Sequence, residues 1–192
     1  MRYVTYEPSP RDKPTRAEVT VRRAHGDADI AVCAGLSARY NDEGADVALS
    51  NARTHAAYPL NAVYVACAPA GEVVGYARIT WVASPSGSPD NVAPTGYYLG
   101  GMVVDEPYRR RGVGQRLTVE RLNHLRGLAD EAWYLVNSAN TASIDLHVAQ
   151  GFHEATRDFV FPGVVFDGLG GILCHKTWGP QARECPGCAV TT

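Results

Sequence analysis

Long apolar runs are missing from this 192-residue chain. No stretch approaches the roughly 18 apolar residues that span a bilayer, and the amino-terminal MRYVTYEPSPRDKPTR has no signal-peptide core. A cytoplasmic protein with no membrane partner is therefore expected. Net charge is also nearly missing: 18 Lys and Arg against 20 Asp and Glu leave -2, which argues against bulk attraction to nucleic acid. The five cysteines, Cys33, Cys67, Cys174, Cys185 and Cys188, are odd in number and scattered, so reduced thiols are expected rather than a disulfide framework. Cys185 and Cys188 form a CxxC without a second pair, in a Pro/Gly-rich tail that reads as incidental. The six histidines lack metal-ligand spacing, and no metal is expected. A GK followed by Ser or Thr, the core of a Walker A loop, occurs nowhere.

What is present suits one domain with a sizeable core: 45% of residues are hydrophobic and 20% charged. Residues 1–17 carry several prolines and read as an extended arm, 18–178 as the folded domain and 179–192 as a tail. Alternation predicts a strand over 18–23. A helix over 27–40 has Ile30, Ala31, Ala34 and Ala38 available for burial. A second helix is expected near 45–57, ended by Pro59. Two β-branched and aromatic runs, 62–68 and 73–82, flank PAGE and read as a hairpin. Residues 84–94 form a Ser/Pro/Gly-rich link that is not expected to carry core packing. A strand over 96–104 follows.

Residues 113–129 predict an amphipathic helix with Leu117, Leu122, Leu125 and Leu128 on its apolar face and Arg116, Glu120 and Asn123 opposite. An apolar strand over 132–137 then implies a parallel pair joined by a right-handed crossover. Asn140 or Thr141 can cap a short helix that Gly151 ends in a left-handed conformation. Strands at 152–161 and 172–178, joined by a glycine-rich connection, complete an α/β chain with a mixed sheet.

The richest segment is 97–117, YYLGGMVVDEPYRRRGVGQRL, a strand joined to a helix through Arg and Gly. Helix-initial N–H groups lack intrahelical acceptors and sit at the positive end of the macrodipole, so the junction is built to hold an anion. Arg109, Arg110 and Arg111 add charge, while Gly112 and Gly114 around Val113 let backbone approach a phosphate. A dinucleotide fingerprint needs a third Gly where this chain has Leu117, so nucleotide binding is a minor alternative.

Arg109, Gly112 and Gly114 fit R/Q-x-x-G-x-G/A after an apolar strand. Asn140, Ser143, Leu146, Gly151 and Phe152 fit N-x-x-A-x-x-L-Y-x-x-x-G-F, with Ser for Ala. With these two motifs the chain resembles the GNAT superfamily of acyl-CoA-dependent N-acyltransferases over about residues 19–178. The resemblance implies an α+β fold: a mixed, mostly antiparallel sheet of about six to seven strands, splayed at the motif strand and flanked by about four helices. It implies acetyl-CoA as cosubstrate, its pyrophosphate on the amides from Arg109 to Gly114 and its pantetheine arm along Met102, Val103 and Val104. Gly100 and Gly101 would permit a bulge that opens the strand, and Asn140 would bond the arm.

The implied reaction is direct attack of a primary amine on the thioester, with β-strand amides stabilising the oxyanion. The amine could belong to a small molecule, an antibiotic or a protein. Where the family commonly has a general-acid Tyr, this chain has His147, which could donate a proton or simply pack. A lysine-like amine must lose a proton at a cost of about 4–5 kcal/mol at pH 7, so a base or water chain is needed. Asp105 and Glu106 are candidate bases, as are Glu43, Asp46, Tyr97 and Tyr98. A non-catalytic coenzyme A sensor is the alternative, and pairing into a homodimer fits the resemblance.

Overall fold

The computed structural model describes residues 15–41, 43–166, 168 and 170–179. Most of the expected arm and the Cys185–Cys188 pair lie outside the described residues. The elements run β1 (Thr20–Arg23), α1 (Gly26–Asn41), α2 (Ala45–Ala57), β2 (Ala62–Cys67), β3 (Val73–Val82), β4 (Gly96–Val104), α3 (Val113–Arg126), β5 (Glu131–Asn137), α4 (Thr141–Val148), β6 (His153–Thr156) and β7 (Gly171–Thr177). Among the described residues, none of these helices is long and apolar enough to cross a membrane.

The sheet has seven strands in the order β1-β2-β3-β4-β5-β7-β6, antiparallel throughout except where β4 meets β5. That match to the expected sheet follows from strand chemistry. The β2 run AVYVAC is buried at every position because helices cover both faces of the sheet at its centre. On one face, Ile30, Cys33 and Leu36 of α1 pack on Val63, Val65, Tyr76 and Val103. On the other, Val113, Leu117, Leu122 and Leu125 of α3 pack on Tyr64, Ala66, Ile79 and Leu99. Each such leucine contributes about 1.5–3 kcal/mol by leaving water.

Four local expectations are corrected. Leu128 is 54% exposed, because α3 ends at Arg126 and the chain turns away; Thr118 and Arg121 occupy the buried face with the leucines. On α1, Ala31 is exposed and Cys33 and Leu36 are buried instead, since the helix turns those residues to the sheet. The strand expected over 152–161 is only His153–Thr156; beyond it Val160 makes a single parallel bridge with Val92, and Phe159 and Phe161 pack beside Tyr98. That bridge brings the 84–94 link into the core, where Ala93 is 1% exposed.

The domain also holds the end of the expected arm. Ala17 is buried and donates its N–H to Arg111 O at 2.9 Å, and Arg111 Nε donates to Thr15 O at 3.0 Å. The chain entering the fold thus braces the loop before α3.

Candidate active site

Strands β4 and β5 share one ladder pair, Tyr98 with Trp133, and then part. A bulge accompanies the separation. Tyr76 pairs with Val103 and Arg78 with Gly100, so β4 carries one more residue than β3 between those pairs. Gly101 sits there with φ +40, and a Cβ built on it would collide with the Arg78 guanidinium, coming within 2.7 Å of Cζ. Glycine is required twice over at that position, by backbone conformation and by space.

The bulge is fastened from below. Arg121 of α3 is 1% exposed, and its Nη1 donates to Arg78 O at 3.1 Å and to Gly100 O at 3.3 Å. Its other donors reach Leu117 O and Thr118 Oγ1. Burial lowers its pKa to about 9, still far enough above neutrality to keep the charge. A charged residue at i+4 from Leu117, on the apolar face of a helix, was the sequence signal for this role.

The loop from Asp105 to Gly112 ends β4 and starts α3. A 3-10 turn, Glu106–Tyr108, leads to Arg110 at φ 59 and Gly112 at φ 83, which aims the chain into the helix. Arg116 N–H is the first amide to bond back into α3, onto Gly112 O at 3.1 Å, and helix-initial amides before it have no intrahelical acceptor. Gly114 keeps this end open: a Cβ there would lie 3.5 Å from Met102 Cε and 3.6 Å from Leu146 Cδ2. Met102 on β4, Gly114 on α3 and Leu146 on α4 therefore converge at the gap between the parted strands.

The arginines divide their tasks. Arg109 turns inward, donating from Nε to Val104 O at 2.9 Å, with its guanidinium 4.2 Å from the Tyr40 ring centroid. Arg111 is occupied with Thr15 O and Pro107 O, while Arg110 is exposed. Asn140 caps α4, its Oδ1 accepting from Ser143 N at 3.2 Å. Gly151 takes φ +83 after the helix, as its place in the motif suggested.

The expected acid-base groups fare differently. His147 is 3% exposed, stacked on Tyr134 at 3.8 Å between centroids and edge-on to Phe152. Its Nδ1–H donates to Ser143 O at 2.8 Å, leaving Nε2 buried without a partner among the described residues. Burial, then the Arg121 charge, push its pKa down to about 3, so the ring is neutral at pH 7. This environment suits packing rather than proton donation.

Asp105 accepts from Tyr40 Oη at 2.5 Å and from Arg39 Nη1 at 3.1 Å, and the Tyr40 hydroxyl in particular holds its carboxyl below the usual range. That carboxylate ties α1 to the motif strand. Glu106 is exposed at the start of the 3-10 turn, and Asp46 is exposed on α2. Tyr97 and Tyr98 are buried, the latter donating to Pro94 O.

A cleft of about 410 Å³ opens on the α1/α2 face and reaches the bulge through Arg78. Ser37, Asn41, Glu43, Asn51, Tyr76 and Arg78 supply its polar lining. Glu43 accepts from Ser37 Oγ at 3.1 Å and from Asn51 Nδ2 at 2.7 Å. Nearby, His55 of α2 meets Thr80 Oγ1 at 3.0 Å, and burial with the Arg78 charge lowers its pKa to about 4. Sequence reasoning named Glu43 and missed Arg78, His55, Ser37 and Asn51. A lone Arg in the strand VVGYARITWV was the available signal. Cys33 borders the cleft, but burial pushes its thiol up to about 12, so it is unreactive.

Comparison with known proteins places this arrangement. No curated protein sequence matches the chain. Solved structures do, at the level of fold. The ribosomal-protein-S18-alanine N-acetyltransferase of Escherichia coli is 20% identical with TM-score 0.62, covering 88% of this chain and 99% of its own. A phosphinothricin acetyltransferase from Sinorhizobium meliloti, solved with AcCoA, is 17% identical with TM-score 0.63, covering 89% and 94%. An aminoglycoside antibiotic 6'-N-acetyltransferase from Acinetobacter baumannii is 18% identical with TM-score 0.58, covering 77% and 99%. The model of the acetyltransferase (GNAT) family matches residues 32–152, most of the domain and both motifs. With the parted strands, the bulge and the glycine-started helix all within that span, the chain belongs to the GNAT family of acetyltransferases.

Proposed function

We propose that this protein transfers an acetyl or short acyl group from acetyl-CoA to a primary amine in a ternary complex. The observation that carries the reading is the gap between β4 and β5, open beyond Tyr98 and Trp133 and bounded by the start of α3. An extended pantetheine arm fits such a gap by adding to the unpaired edge of β4 at Met102, Val103 and Val104. The pyrophosphate would rest on the amides of Arg109, Arg110, Arg111, Gly112, Val113 and Gly114, where the macrodipole favours an anion. Asn140 would meet the arm from the start of α4.

In this reading the neutral amine nitrogen attacks the thioester carbonyl carbon. A C–N bond forms, the C–S bond breaks, and β4 amides stabilise the oxyanion between these events. The nitrogen gives up a proton, the thiolate takes one to become coenzyme A thiol, and an acceptor that arrives as an ammonium releases one further proton to water. The lowered pKa of His147 supports departure of the sulfur as thiolate, consistent with a thiol reference pKa of about 8.5. Asp105, already bonded to Tyr40 and Arg39, serves as a strut in this scheme, and the amine proton leaves through water in the cleft.

The related folds come from proteins named for aminoglycoside, ribosomal-protein alanine and phosphinothricin acetylation, which supports an amine acceptor without choosing one. Acetyl-CoA should raise the melting temperature, and coenzyme A thiol should appear only when a suitable amine is added. Stabilisation by ATP or NAD and none by acetyl-CoA would refute the reading. Tight cofactor binding with no thiol release across a broad amine panel would favour a sensor instead.

A further inference from the structure

We infer that Arg78 anchors an oxyanion on the acceptor, so that the amine acetylated is a small one bearing a carboxylate, in the manner of an amino acid. This rests on the acyl-transfer reading above. Arg78 lies in the middle of β3, lines the cleft and lies against the bulge where the thioester would sit. Among the described residues no carboxylate forms an ion pair with it, and its Nε is buried without a hydrogen-bond partner. A half-buried guanidinium with unused donors is costly unless a ligand completes it, and its planar fork matches a carboxylate. The other end of the cleft differs. There Glu43 is already held by Ser37 and Asn51, so its carboxylate is oriented but still exposed enough to face an ammonium or a polar side chain.

The size of the cleft points the same way. About 410 Å³ is at the small end of ligand pockets and suits a compact acceptor rather than an extended polycation. A cation beside the reacting nitrogen also aids the chemistry, because a nearby positive charge favours the neutral amine. The same charge acts on His55, whose pKa is lowered first by burial and then by Arg78.

The test compares L-amino acids with their methyl esters and with spermidine, by thiol release from acetyl-CoA. The ester's amine is less basic, so any preference for the free acid cannot come from amine ionisation. The wild-type protein should show kcat/KM at least about tenfold higher for at least one free acid than for its ester, the discrimination of a lost charged hydrogen bond. Arg78→Met should abolish that preference, Arg78→Lys should restore part of it, and acetyl-CoA should stabilise both variants as it does the wild type. Equal or faster turnover of esters or spermidine, or a preference that survives Arg78→Met, would overturn the inference while leaving acyl transfer intact. No thiol release with any amine would instead remove the acyl-transfer reading itself, and this inference with it.

Discussion

Arg121 reaches across from α3 and donates one guanidinium nitrogen to the carbonyls of both Arg78 and Gly100, binding the two strands at the point where β4 bulges. The bulge, flanked by the ladder pairs Tyr76–Val103 and Arg78–Gly100, is therefore also held by a charge in the core. Hydrogen bonds from a charged group contribute about 1.5–3 kcal/mol each, and deleting the donor strands buried carbonyls. Arg121→Met should lower stability by about 1–3 kcal/mol, the range for leaving a buried acceptor without its donor. Chemical denaturation measures it; a loss under about 1 kcal/mol would mean that water replaces the guanidinium easily.

Gly101→Ala tests the same bulge from the other side. An alanine at φ +40 is strained, and its Cβ would displace the Arg78 guanidinium. We expect a cost of about 1–3 kcal/mol. Because the clash is with a flexible side chain, Arg78→Met should relieve part of it, and the two changes should be non-additive by at least about 0.5 kcal/mol. Strict additivity would separate the residues energetically.

At the cofactor end, Gly114→Ala should leave the melting temperature nearly unchanged, since the added methyl meets Met102 and Leu146 at ordinary contact distance. Gly114→Val should weaken coenzyme A binding at least about tenfold by blocking backbone approach to a phosphate. Calorimetric titration with coenzyme A distinguishes fold from ligand effects. Undiminished affinity in the valine variant would move the phosphate site elsewhere.

His147 supplies a pH prediction. Its pKa falls from 6.5 in the unfolded chain to about 3 in the fold, because burial beside Tyr134 and Phe152 strips water from an imidazolium and the Arg121 charge opposes it further. Below 6.5 the unfolded chain binds a proton that the folded protein does not, so stability falls as pH drops through the window from 6.5 to about 3. Above 6.5 this effect vanishes. His147→Phe, which keeps the ring stack, should flatten that acid limb by up to about 1.4 kcal/mol per pH unit. Its turnover should stay within about threefold, whereas removal of a true general acid costs about 10²–10⁴-fold.

Asp105→Asn separates strut from base. The carboxylate bonded to Tyr40 and Arg39 titrates below its ordinary value, so its contribution is present at neutral pH and fades only as pH falls below about 4. The amide should cost about 1–2 kcal/mol in stability with kcat reduced less than about tenfold. A drop in kcat beyond about 10²-fold with stability unchanged would make Asp105 the base after all.

The sequence by itself determined the parts whose function is local. Gly112 and Gly114 at a helix start, the apolar strand before them and the cap at Asn140 depend on neighbours a few residues away, so backbone conformation and orphan amides could be read from spacing. The family resemblance followed from those same short segments. Strand types and order were likewise legible, because burial on two faces imposes β-branched and aromatic runs.

Only the tertiary structure decided what depends on register and burial. Leu128 left its expected buried place and Arg121, which no periodic reading places, took one, because the end of α3 and its packing on the sheet choose the buried stripe. The burial of His147 was likewise decided by the fold, because Tyr134 of β5 closes over it. The hydrogen bonds of Asp105 to Tyr40 and Arg39 join residues about 65 positions apart and so depended on the fold. The cleft charge was hidden longest. Arg78 gains meaning only when the β3–β4 register sets it against Gly101 and α1 and α2 wall the space in front of it, and no spacing within one segment carries that information.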